Sequence, residues 1–295
     1  MPRTIYVNGQ YVPYADAKIS VEDRGFLFGD AVYEVIGCIH GHFADETGHL
    51  DRLERSLKEL KMDMPVERET LRFLMREVLR RNRQKNAAIY LEISRGSAKR
   101  DFKFPSLDTA QTLVIISYDF DFDGNKSVVS GTKIKTIKDI RWKRRDIKTV
   151  LLLPQSMGKQ EAIDEGLDDV WMVDDNGYIT EASASNAWIV TKDKKLITRA
   201  VSTDILRGIT RTAIEKLCKE MNLVLEQRSF KPDEAYEAIE AFTSSATALI
   251  TPVIEIDGHK IGDGKRGDIC KSLYEEYRAY VEGLRGEQVK WEAGL

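Results

Sequence analysis

Strand-like and helical segments are mixed along this chain without regular alternation, and this order constrains the fold more than any other feature. Short strand-like runs flank the pair Asn8-Gly9, which is typical of a β-hairpin. Leucines recur at helical spacing from His49 onward, and a second helical pattern runs from Pro65 to Arg81. A regular barrel or doubly wound sheet needs strands and helices in strict succession. The order therefore predicts a mixed α/β (α+β) fold in two lobes.

A polar segment separates the predicted elements into two groups. Strands are expected over Ala87–Ser94 and Thr112–Tyr118, and the segment after them has no apolar stripe apart from its phenylalanines. We expect a smaller N-terminal domain over residues 1–118, a linker over 119–125 and a larger C-terminal domain over 126–295. The elements expected in the C-terminal domain are a strand (Thr132–Ile137), a helix (Ser156–Glu165), a hairpin (Asp169–Ile179), a strand (Asn186–Thr191), a helix from near Gly208, a strand (Leu223–Gln227), a short helix, strands bracketing Ile250–Ile256 and a helix (Arg266–Gly283).

Composition and charge exclude several classes of function. Of the 295 residues, 42% are hydrophobic and 32% are charged, which suits a soluble globular protein and not a disordered chain. The 45 basic and 48 acidic side chains leave a net charge of -3, so no overall field attracts nucleic acid or an anionic membrane. The chain lacks an apolar run long enough to span a bilayer and an apolar signal core. We expect a cytoplasmic protein whose partner is a small molecule.

One basic stretch, the three cysteines and two of the histidines do not indicate a binding site. Eight basic residues lie from Lys133 to Lys148, but interleaved apolar residues favour a strand with a solvated face over a nucleic-acid site. These apolar residues are Ile134, Ile137, Ile140, Trp142 and Ile147. The three cysteines are too scattered for a disulfide framework or a zinc site, so buried free thiols are expected. His40 and His42 lack the further ligands of a metal site, and none is expected.

An ordered set of short motifs stands out in the second half of the chain. It runs Glu181-Ala-Ser-Ala-Ser-Asn186-Ala-Trp188, then Leu196-Ile-Thr198, then Leu206-Arg-Gly208-Ile209-Thr210-Arg211. These motifs resemble the signature of class IV aminotransferases, the fold-type-IV enzymes that depend on pyridoxal 5'-phosphate. The departure is Trp188, where the family usually has Phe or Tyr. The resemblance implies a two-domain fold-type-IV architecture and a transamination.

The resemblance extends over nearly the whole chain and is closest to D-amino-acid aminotransferases. Its further motifs are Glu22-Asp23-Arg24-Gly25, Phe28-Gly29-Asp30, Val32-Tyr33-Glu34-Val35, His49-Leu50-Asp51-Arg52-Leu53, Asp139-Ile140-Arg141-Trp142, Asp146-Ile147-Lys148, Lys159-Gln160-Glu161-Ala162 and a segment that begins Ile250-Thr251-Pro252. So many separate motifs in the family's order make chance similarity a poor explanation.

The resemblance assigns the cofactor end of the site. Lys148 aligns with the lysine that holds the cofactor as a Schiff base and moves protons, although by itself a lysine in a basic stretch is a surface residue. Glu181 resembles the acid that pairs with the pyridine nitrogen and keeps it protonated. The helix start at Gly208, Ile209 and Thr210 would bind the cofactor phosphate. The other implied cofactor-binding residues are Arg52, Ser183, Leu206, Ser245 and Ala246.

Two of these assignments need comment. Arg52 lies off the leucine stripe of its helix and matches an arginine that adds a charged contact to the phosphate, whereas an isolated arginine there would be solvated. Ala246 stands where the family often has a hydroxyl, so that contact falls either to a backbone amide or to a flanking hydroxyl.

The substrate end departs from the D-amino-acid enzymes. Tyr33 aligns with a tyrosine near the substrate carboxylate, and Arg100 aligns with an arginine that reaches across a homodimer interface to bind it. Phe102 replaces the usual histidine, and Gly37 replaces the usual lysine. The resemblance implies ping-pong transfer of the amino group of a D-amino acid, such as D-alanine, to a 2-oxo acid, such as 2-oxoglutarate. A branched-chain L-amino-acid aminotransferase, an (R)-selective amine transaminase, an aminodeoxychorismate lyase and a non-enzymatic cofactor-binding protein remain as alternatives.

Overall fold

A computed structural model describes residues 3–283 of the chain, which divide into two compact units. Among the described residues the first unit holds 3–121 and 147–151, and the second holds 122–146 and 152–283. Each unit contains its own β-sheet and its own α-helices, as the prediction of a mixed α/β fold requires.

The first unit is built on a six-stranded antiparallel sheet in the order β2-β1-β6-β5-β3-β4. Its strands are β1 (Thr4–Val7), β2 (Gln10–Pro13), β3 (Ala31–Ile39), β4 (His42–Phe43), β5 (Ala87–Ser94) and β6 (Thr112–Asp119). Its helices are α1 (Arg24–Phe28), α2 (Glu46–Glu59) and α3 (Arg68–Asn82). The predicted hairpin, the two predicted helices and the two predicted strands are confirmed in this unit.

The two faces of this sheet differ in burial because side chains alternate along each strand. On one face, Val32, Ile36, Ile89 and Leu91 are fully buried, and they belong to the same core cluster as the leucine stripe of α2. On the other face, residues such as Tyr33 are only half-buried. The sheet therefore has one core face and one face that is available for a site.

The segment 147–151 belongs to the first unit because it lies along the open edge of β3. The Tyr33 amide donates to the Lys148 carbonyl at 3.0 Å, and Val32 forms an antiparallel bridge with Thr149. On this edge β4 pairs with only the far end of β3, at Cys38 and Ile39, so the near end can accept the segment. Lys148 thus groups with the first unit, although the sequence-based boundaries include it in residues 126–295.

The second unit contains a nine-stranded sheet of mixed direction, in the order β12-β11-β10-β13-β14-β7-β8-β9 with β15 on β14. Its strands are β7 (Thr132–Lys138), β8 (Asp169–Val173), β9 (Ile179–Ala182), β10 (Asn186–Val190), β11 (Leu196–Thr198), β12 (Leu225–Gln227), β13 (Glu240–Ser245), β14 (Leu249–Ile256) and β15 (His259–Lys260). Its helices are α4 (Lys126–Ser130), α5 (Leu153–Asp164), α6 (Ile209–Glu220), α7 (Pro232–Tyr236) and α8 (Asp268–Val281). Fully buried Trp171 and Phe230 meet edge to face within its core.

One interpretation of the basic stretch is wrong. Strand β7 ends at Lys138, so the apolar residues beyond it are not strand positions. The Asp139 amide donates to the Val173 carbonyl, and after this residue the chain leaves the sheet. Ile140 is therefore 57% exposed and Trp142 is 37% exposed. The three cysteines are buried free thiols, as expected. Across residues 3–283, no helix has the length and apolarity needed to cross a membrane.

Candidate active site

Glu181 is a buried carboxylate at the end of β9, with only 4% of its surface exposed. Its Oε1 atom accepts hydrogen bonds from Arg141 Nη1 at 2.8 Å and from the Leu206 amide at 2.9 Å. Its Oε2 atom accepts from Asn186 Nδ2 at 3.2 Å. Burying a charge is costly unless it is paired and hydrogen-bonded, and these donors provide that compensation. The carboxylate is therefore held in one place by groups from three parts of the second unit.

Arg141 is itself fixed between two carboxylates. Its Nε and Nη2 atoms donate to the two oxygens of Asp139 at 3.0 and 2.7 Å, while Nη1 donates to Glu181. Burial alone would raise the pKa of Asp139, but the Arg141 hydrogen bonds and charge, with a hydrogen bond from Thr180, lower it. Burial alone would lower the pKa of Arg141, but Glu181 and Asp139 raise it. The guanidinium thus stays charged and orients Glu181.

The N-terminus of α6 lies beside the same cluster. Gly208 precedes the helix with φ of -66° and ψ of 139°, and no side chain caps the first amides. Ile209 and Thr210 are nevertheless 3% and 2% exposed. The first amides of a helix have no partner within the helix, and the helix dipole makes them attractive to an anion. A buried and uncapped helix start of this kind is suited to a phosphate group.

Gly208 is required by the packing of this helix start against Asn186. A Cβ atom at position 208 would lie 2.2 Å from Asn186 Oδ1, which is too close for any side chain. Asn186 Nδ2 also donates to the Leu206 carbonyl at 2.9 Å. The structure therefore brings Glu181, Leu206 and Gly208 together through Asn186.

Ser183 and Ala246 lie in turns near this cluster, and Ser245 is the last residue of β13. Ser183 belongs to the turn that joins β9 to β10, closed by a hydrogen bond from the Ala182 amide to the Ser185 carbonyl at 2.9 Å. Ser244 is the cross-strand partner of Asn186, so the turn after it begins at the same edge of the sheet. Ser245 Oγ, at the end of β13, accepts from the Ala248 amide in that turn at 3.1 Å.

In the first unit, Lys148 and Tyr33 are direct neighbours. The Lys148 Nζ atom lies 4.2 Å from the centroid of the Tyr33 ring. Both residues are half-buried on the same face of the sheet. A cation over a tyrosine ring is attracted by the negative face of the ring, and this contact fixes where the amine lies. Lys148 is thus not a fully solvated surface lysine.

Arg52 also belongs to the first unit and is 8% exposed. Its Nε and Nη2 atoms donate to the two carboxylate oxygens of Glu34, each at 2.7 Å, and His49 Nδ1 lies 2.8 Å from Glu34 Oε2. Burial would raise the pKa of Glu34, but the charge and hydrogen bonds of Arg52, with His49, hold it at about 2. Arg52 is therefore held by a buried carboxylate and is not solvated.

Arg100 and Phe102 lie apart from Lys148 and Tyr33, in an exposed loop of the first unit. Phe102 is 81% exposed and meets Phe28 edge to face at 5.8 Å. The Arg100 guanidinium carbon lies 5.5 Å from the Phe28 ring centroid and 5.6 Å from that of Phe102. Within residues 3–283, Arg100 has no hydrogen bond or ion pair, so its guanidinium donors are open to a ligand or to another chain.

Sequence reasoning gave no role to four side chains that organise these clusters: Glu34, His49, Arg141 and Asn186. Glu34 could have been found only with strand β3 already predicted, because it is a charged residue between the apolar positions Val32 and Ile36 on one face of that strand. A charge at such a position requires a buried partner. Arg141 has no comparable local signal, because its chain segment is not a regular element.

A family model described as amino-transferase class IV matches residues 31–256 of the chain. The chain belongs to the class IV aminotransferase family. The expected mixed α/β fold of the fold-type-IV enzymes is confirmed, and the protein is an aminotransferase. The matched range contains Lys148 and Glu181 but begins after the first motifs of the chain.

Similar proteins cover nearly the full length of this aminotransferase. It is 36% identical over 281 residues to a D-alanine aminotransferase of Staphylococcus aureus, a match that covers 94% of this chain and 98% of the relative. It is 33% identical over 270 residues to a D-alanine aminotransferase of Bacillus licheniformis, covering 91% and 94%. Among solved structures, the branched-chain amino acid aminotransferase of Escherichia coli superposes with a TM-score of 0.88 at 25% identity, covering 99% of this chain and 98% of that chain. The branched-chain enzyme of Thermoproteus uzoniensis, solved with norvaline, gives 0.84 at 27% identity, covering 95% of each chain.

Proposed function

We propose that this aminotransferase uses pyridoxal 5'-phosphate to transfer the amino group of a D-amino acid, such as D-alanine, to a 2-oxo acid, such as 2-oxoglutarate. The observation that carries the proposal is the buried Glu181 carboxylate beside the uncapped start of α6. Support for the D-amino acid comes from the D-alanine aminotransferases that match nearly the whole chain at 33% and 36% identity.

The chemistry of the donors fits this cofactor. A pyridine nitrogen that carries a proton needs a fixed carboxylate, and Glu181 is fixed by Arg141, Asn186 and the Leu206 amide. A phosphate needs several N–H and O–H donors, and the buried amides at Ile209 and Thr210 and the Thr210 hydroxyl offer them. We assign Ser183, Leu206, Gly208, Ser245 and Ala246 to the walls of the cofactor site and Arg52 to a charged contact with the phosphate.

The side chains of this protein then have distinct tasks. When bound, the cofactor supplies an electron sink for the electron pair left on the substrate Cα. Lys148 Nζ would hold the cofactor before the substrate binds. It would then take the proton from the Cα of the amino donor and, in the second half of the reaction, give a proton to the Cα of the acceptor. Glu181 keeps a proton at the pyridine nitrogen. Tyr33 positions Lys148 Nζ through the face of its ring.

The substrate carboxylate is assigned to Tyr33 and to Arg100 of a second protomer in a homodimer, with the Phe102 ring beside Arg100. The exposed Arg100 guanidinium, which lies over the Phe28 and Phe102 rings and has no ion pair among residues 3–283, supports this assignment. The reaction has two halves: the amino group leaves the D-amino acid as its 2-oxo acid departs, and then passes to the acceptor. The homodimer and a cytoplasmic location stay predictions.

A branched-chain L-amino-acid aminotransferase is the second candidate, because solved structures of branched-chain enzymes are similar to this chain. An (R)-selective amine transaminase is compatible with an apolar, exposed Phe102, since an amine substrate brings no carboxylate to be bound. These candidates share the cofactor residues and differ in the group beside the reacting amine. Substrate assays separate them.

The proposal is tested by replacing Lys148 with alanine, with Lys143→Ala as the matched control. Lys143 is an exposed lysine in the same basic stretch. The purified wild-type protein and the control should show visible cofactor absorption and should transaminate D-alanine with 2-oxoglutarate. K148A should lose the visible absorption and the turnover, because no amine remains at this position. An unchanged spectrum in K148A contradicts the role of Lys148. Turnover of L-leucine or (R)-1-phenylethylamine without D-alanine contradicts the D-amino-acid proposal.

A further inference from the structure

Arg100 and Phe102 lie in the segment that joins β5 to β6, and this segment has no helix or strand between residues 97 and 110. We call residues 97–110 the Arg100 loop. Its ends meet where Gly96, with φ of 90°, approaches Ala110 so closely that a Cβ atom on Gly96 would lie 1.9 Å from the Ala110 carbonyl oxygen. Irregular surface loops are more mobile than the elements they join. The position of Arg100 therefore depends on the contacts that hold the loop.

The Arg24 side chain holds the middle of the Arg100 loop. Arg24 is the first residue of α1 and is 3% exposed. Its Nη1 atom donates to the Asp101 carbonyl at 2.8 Å and to the Lys103 carbonyl at 3.5 Å. Asp101 follows Arg100 directly, and the two carbonyls flank Phe102. Arg24 thus binds the backbone on both sides of Phe102 and directly beside Arg100.

The Phe28 ring provides a second link between Arg24 and Arg100. Its centroid lies 4.5 Å from the Arg24 guanidinium carbon and 5.5 Å from that of Arg100. Phe102 meets the same ring edge to face at 5.8 Å. An aromatic ring attracts a cation near its face, so both guanidinium groups are favoured beside Phe28. Arg24 and Arg100 are therefore connected through a ring as well as through the backbone.

The charges around Arg24 explain why it needs the loop carbonyls. Arg24 and Arg95 share the Asp30 carboxylate, at 2.8 and 2.7 Å, so two positive charges face one negative charge. Both arginines are buried, and a buried charge is costly unless its donors are satisfied. Arg95 donates to the Leu60 carbonyl at 2.8 Å and lies over the Phe104 ring at 3.8 Å. Arg24 donates instead to the carbonyls of the Arg100 loop.

The nearby carboxylates of Asp23 and Asp101 do not replace these acceptors. Asp23 adds a second negative charge to the region, but neutral donors occupy its oxygens. These donors are the Gly25 amide at 2.8 Å, the Ser94 hydroxyl at 2.8 Å and the Thr112 hydroxyl at 2.6 Å. The Asp101 carboxylate is more than half exposed and lies 3.7 Å from Lys103 Nζ. Apart from Asp30, the backbone of the Arg100 loop is thus what satisfies Arg24.

We propose that Arg24 is a positioning residue for substrate binding. By holding the carbonyls of Asp101 and Lys103, it fixes the place from which Arg100 meets the substrate carboxylate. The inference rests on the proposed function, because it takes Arg100 as the group that binds this carboxylate. Arg24 acts through Arg100 and does not itself bind the substrate. Its loss should weaken the binding of amino acids and 2-oxo acids alike, because both bring a carboxylate to Arg100.

Replacing Arg24 with methionine removes the guanidinium and keeps an unbranched side chain. Asp30 retains both hydrogen bonds from Arg95, so this carboxylate does not lose its counter-charge. In R24M the KM for D-alanine should rise by about tenfold or more, because Arg100 is no longer held where the carboxylate arrives. The kcat should change by less than about threefold, because the residues that move the proton are intact. A change in kcat without a change in KM overturns the inference.

A double-mutant cycle with Arg100→Met separates positioning from a general loss of structure. R100M by itself should raise the KM for D-alanine at least as much as R24M does. The double variant should then have the KM of R100M within about twofold, because no guanidinium remains to be positioned. If the two increases in KM multiply instead, Arg24 acts independently of Arg100 and the inference is overturned.

Arg68→Met is the matched control. Arg68 also donates to two acceptors, the carboxylates of Asp51 and Glu54 on α2, and in the described part of the chain it makes no contact with the Arg100 loop. R68M should leave both KM and kcat for D-alanine unchanged.

Hydrogen exchange gives a readout that does not depend on turnover. The amides of residues 97–110 should exchange about tenfold faster in R24M than in the wild-type protein, because opening the loop no longer breaks the Arg24 contacts. The amides of β5 should exchange at the wild-type rate. Equal exchange of the loop in the two proteins overturns the inference.

The failure of this inference differs from the failure of the proposed function. If the wild-type protein turns over D-alanine but R24M has the wild-type KM, the role of Arg24 is overturned and the proposed function stands. If L-leucine is turned over in place of D-alanine, the D-amino-acid proposal falls. The same double-mutant cycle with L-leucine then decides the role of Arg24, because this substrate also has a carboxylate. If only an amine without a carboxylate is turned over, both fall.

Discussion

Replacing Glu34 with glutamine removes the negative charge that Arg52 and His49 share while keeping the size of the side chain. In the native protein Arg52 donates to both carboxylate oxygens at 2.7 Å. A glutamine amide offers an acceptor oxygen on one side and a donor NH2 group on the other, so one of these contacts becomes a donor facing a donor. The variant also leaves the Arg52 charge, which is 8% exposed, without its counter-charge.

The expected loss of stability follows from the pKa of Glu34. The surroundings lower this pKa from 4.5 to about 2, and each pKa unit corresponds to about 1.4 kcal/mol. The charged carboxylate thus contributes about 3 kcal/mol to the free energy of unfolding. Because the folded pKa is the lower one, this contribution is complete at pH values well above 4.5 and is lost as the pH falls toward 2. At pH 3 about half of it remains.

Urea unfolding of the wild-type protein and E34Q, followed by circular dichroism at pH 7 and pH 3, measures both effects. The gap between the two proteins should be about 3 kcal/mol at pH 7 and about half of that at pH 3. Glu69→Gln, an exposed partner of Arg72 on α3, should change stability by no more than about 0.5 kcal/mol at either pH. A gap below about 1 kcal/mol at pH 7, or one that widens on acidification, would refute the buried charge network.

Two further substitutions test the site in the second unit. Gly208→Ala places a Cβ atom 2.2 Å from Asn186 Oδ1, so either the start of α6 or the Asn186 side chain that contacts Glu181 must shift. The affinity for pyridoxal 5'-phosphate, measured by titration, should fall by about tenfold, and an unchanged affinity would contradict the assignment of this helix start to the phosphate. Trp188→Phe restores the aromatic residue usual in the family but loses the hydrogen bond from Nε1 to Ser244 Oγ at 2.9 Å and leaves space in a fully buried position. Its free energy of unfolding should drop by about 1 to 3 kcal/mol in urea titrations, and a more stable variant would be inconsistent with this packing.

Local sequence patterns were sufficient where the structure depends on near neighbours. The hairpin at Asn8-Gly9 forms with φ of 45° and 91° at these residues, which is the positive-φ turn that this pair favours. The strand predicted over Ala87–Ser94 has the same bounds in the structure, because its β-branched and aromatic residues suit a strand and its flanking residues do not. The helix expected near Gly208 begins at Ile209.

Strand β3 shows where local patterns fail. Glu34 and Gly37 interrupt its apolar run, so periodicity alone does not predict the strand. The carboxylate is tolerated in the core face because Arg52 and His49 approach it from α2. These ion pairs, which offset the cost of burying the Glu34 charge, join β3 to α2. A pattern within either segment alone does not predict them.

For the candidate site, the order of residue types along the chain was enough to identify the family and to single out Lys148 and Glu181. What surrounds these two side chains depends on the tertiary structure. Lys148 joins the first unit because β3 has an open edge there, and Tyr33 lies beside it because the segment pairs with β3 in one register. The physical reason is that the charge, burial and partners of a side chain depend on residues far away along the chain, which approach only when the sheets have formed.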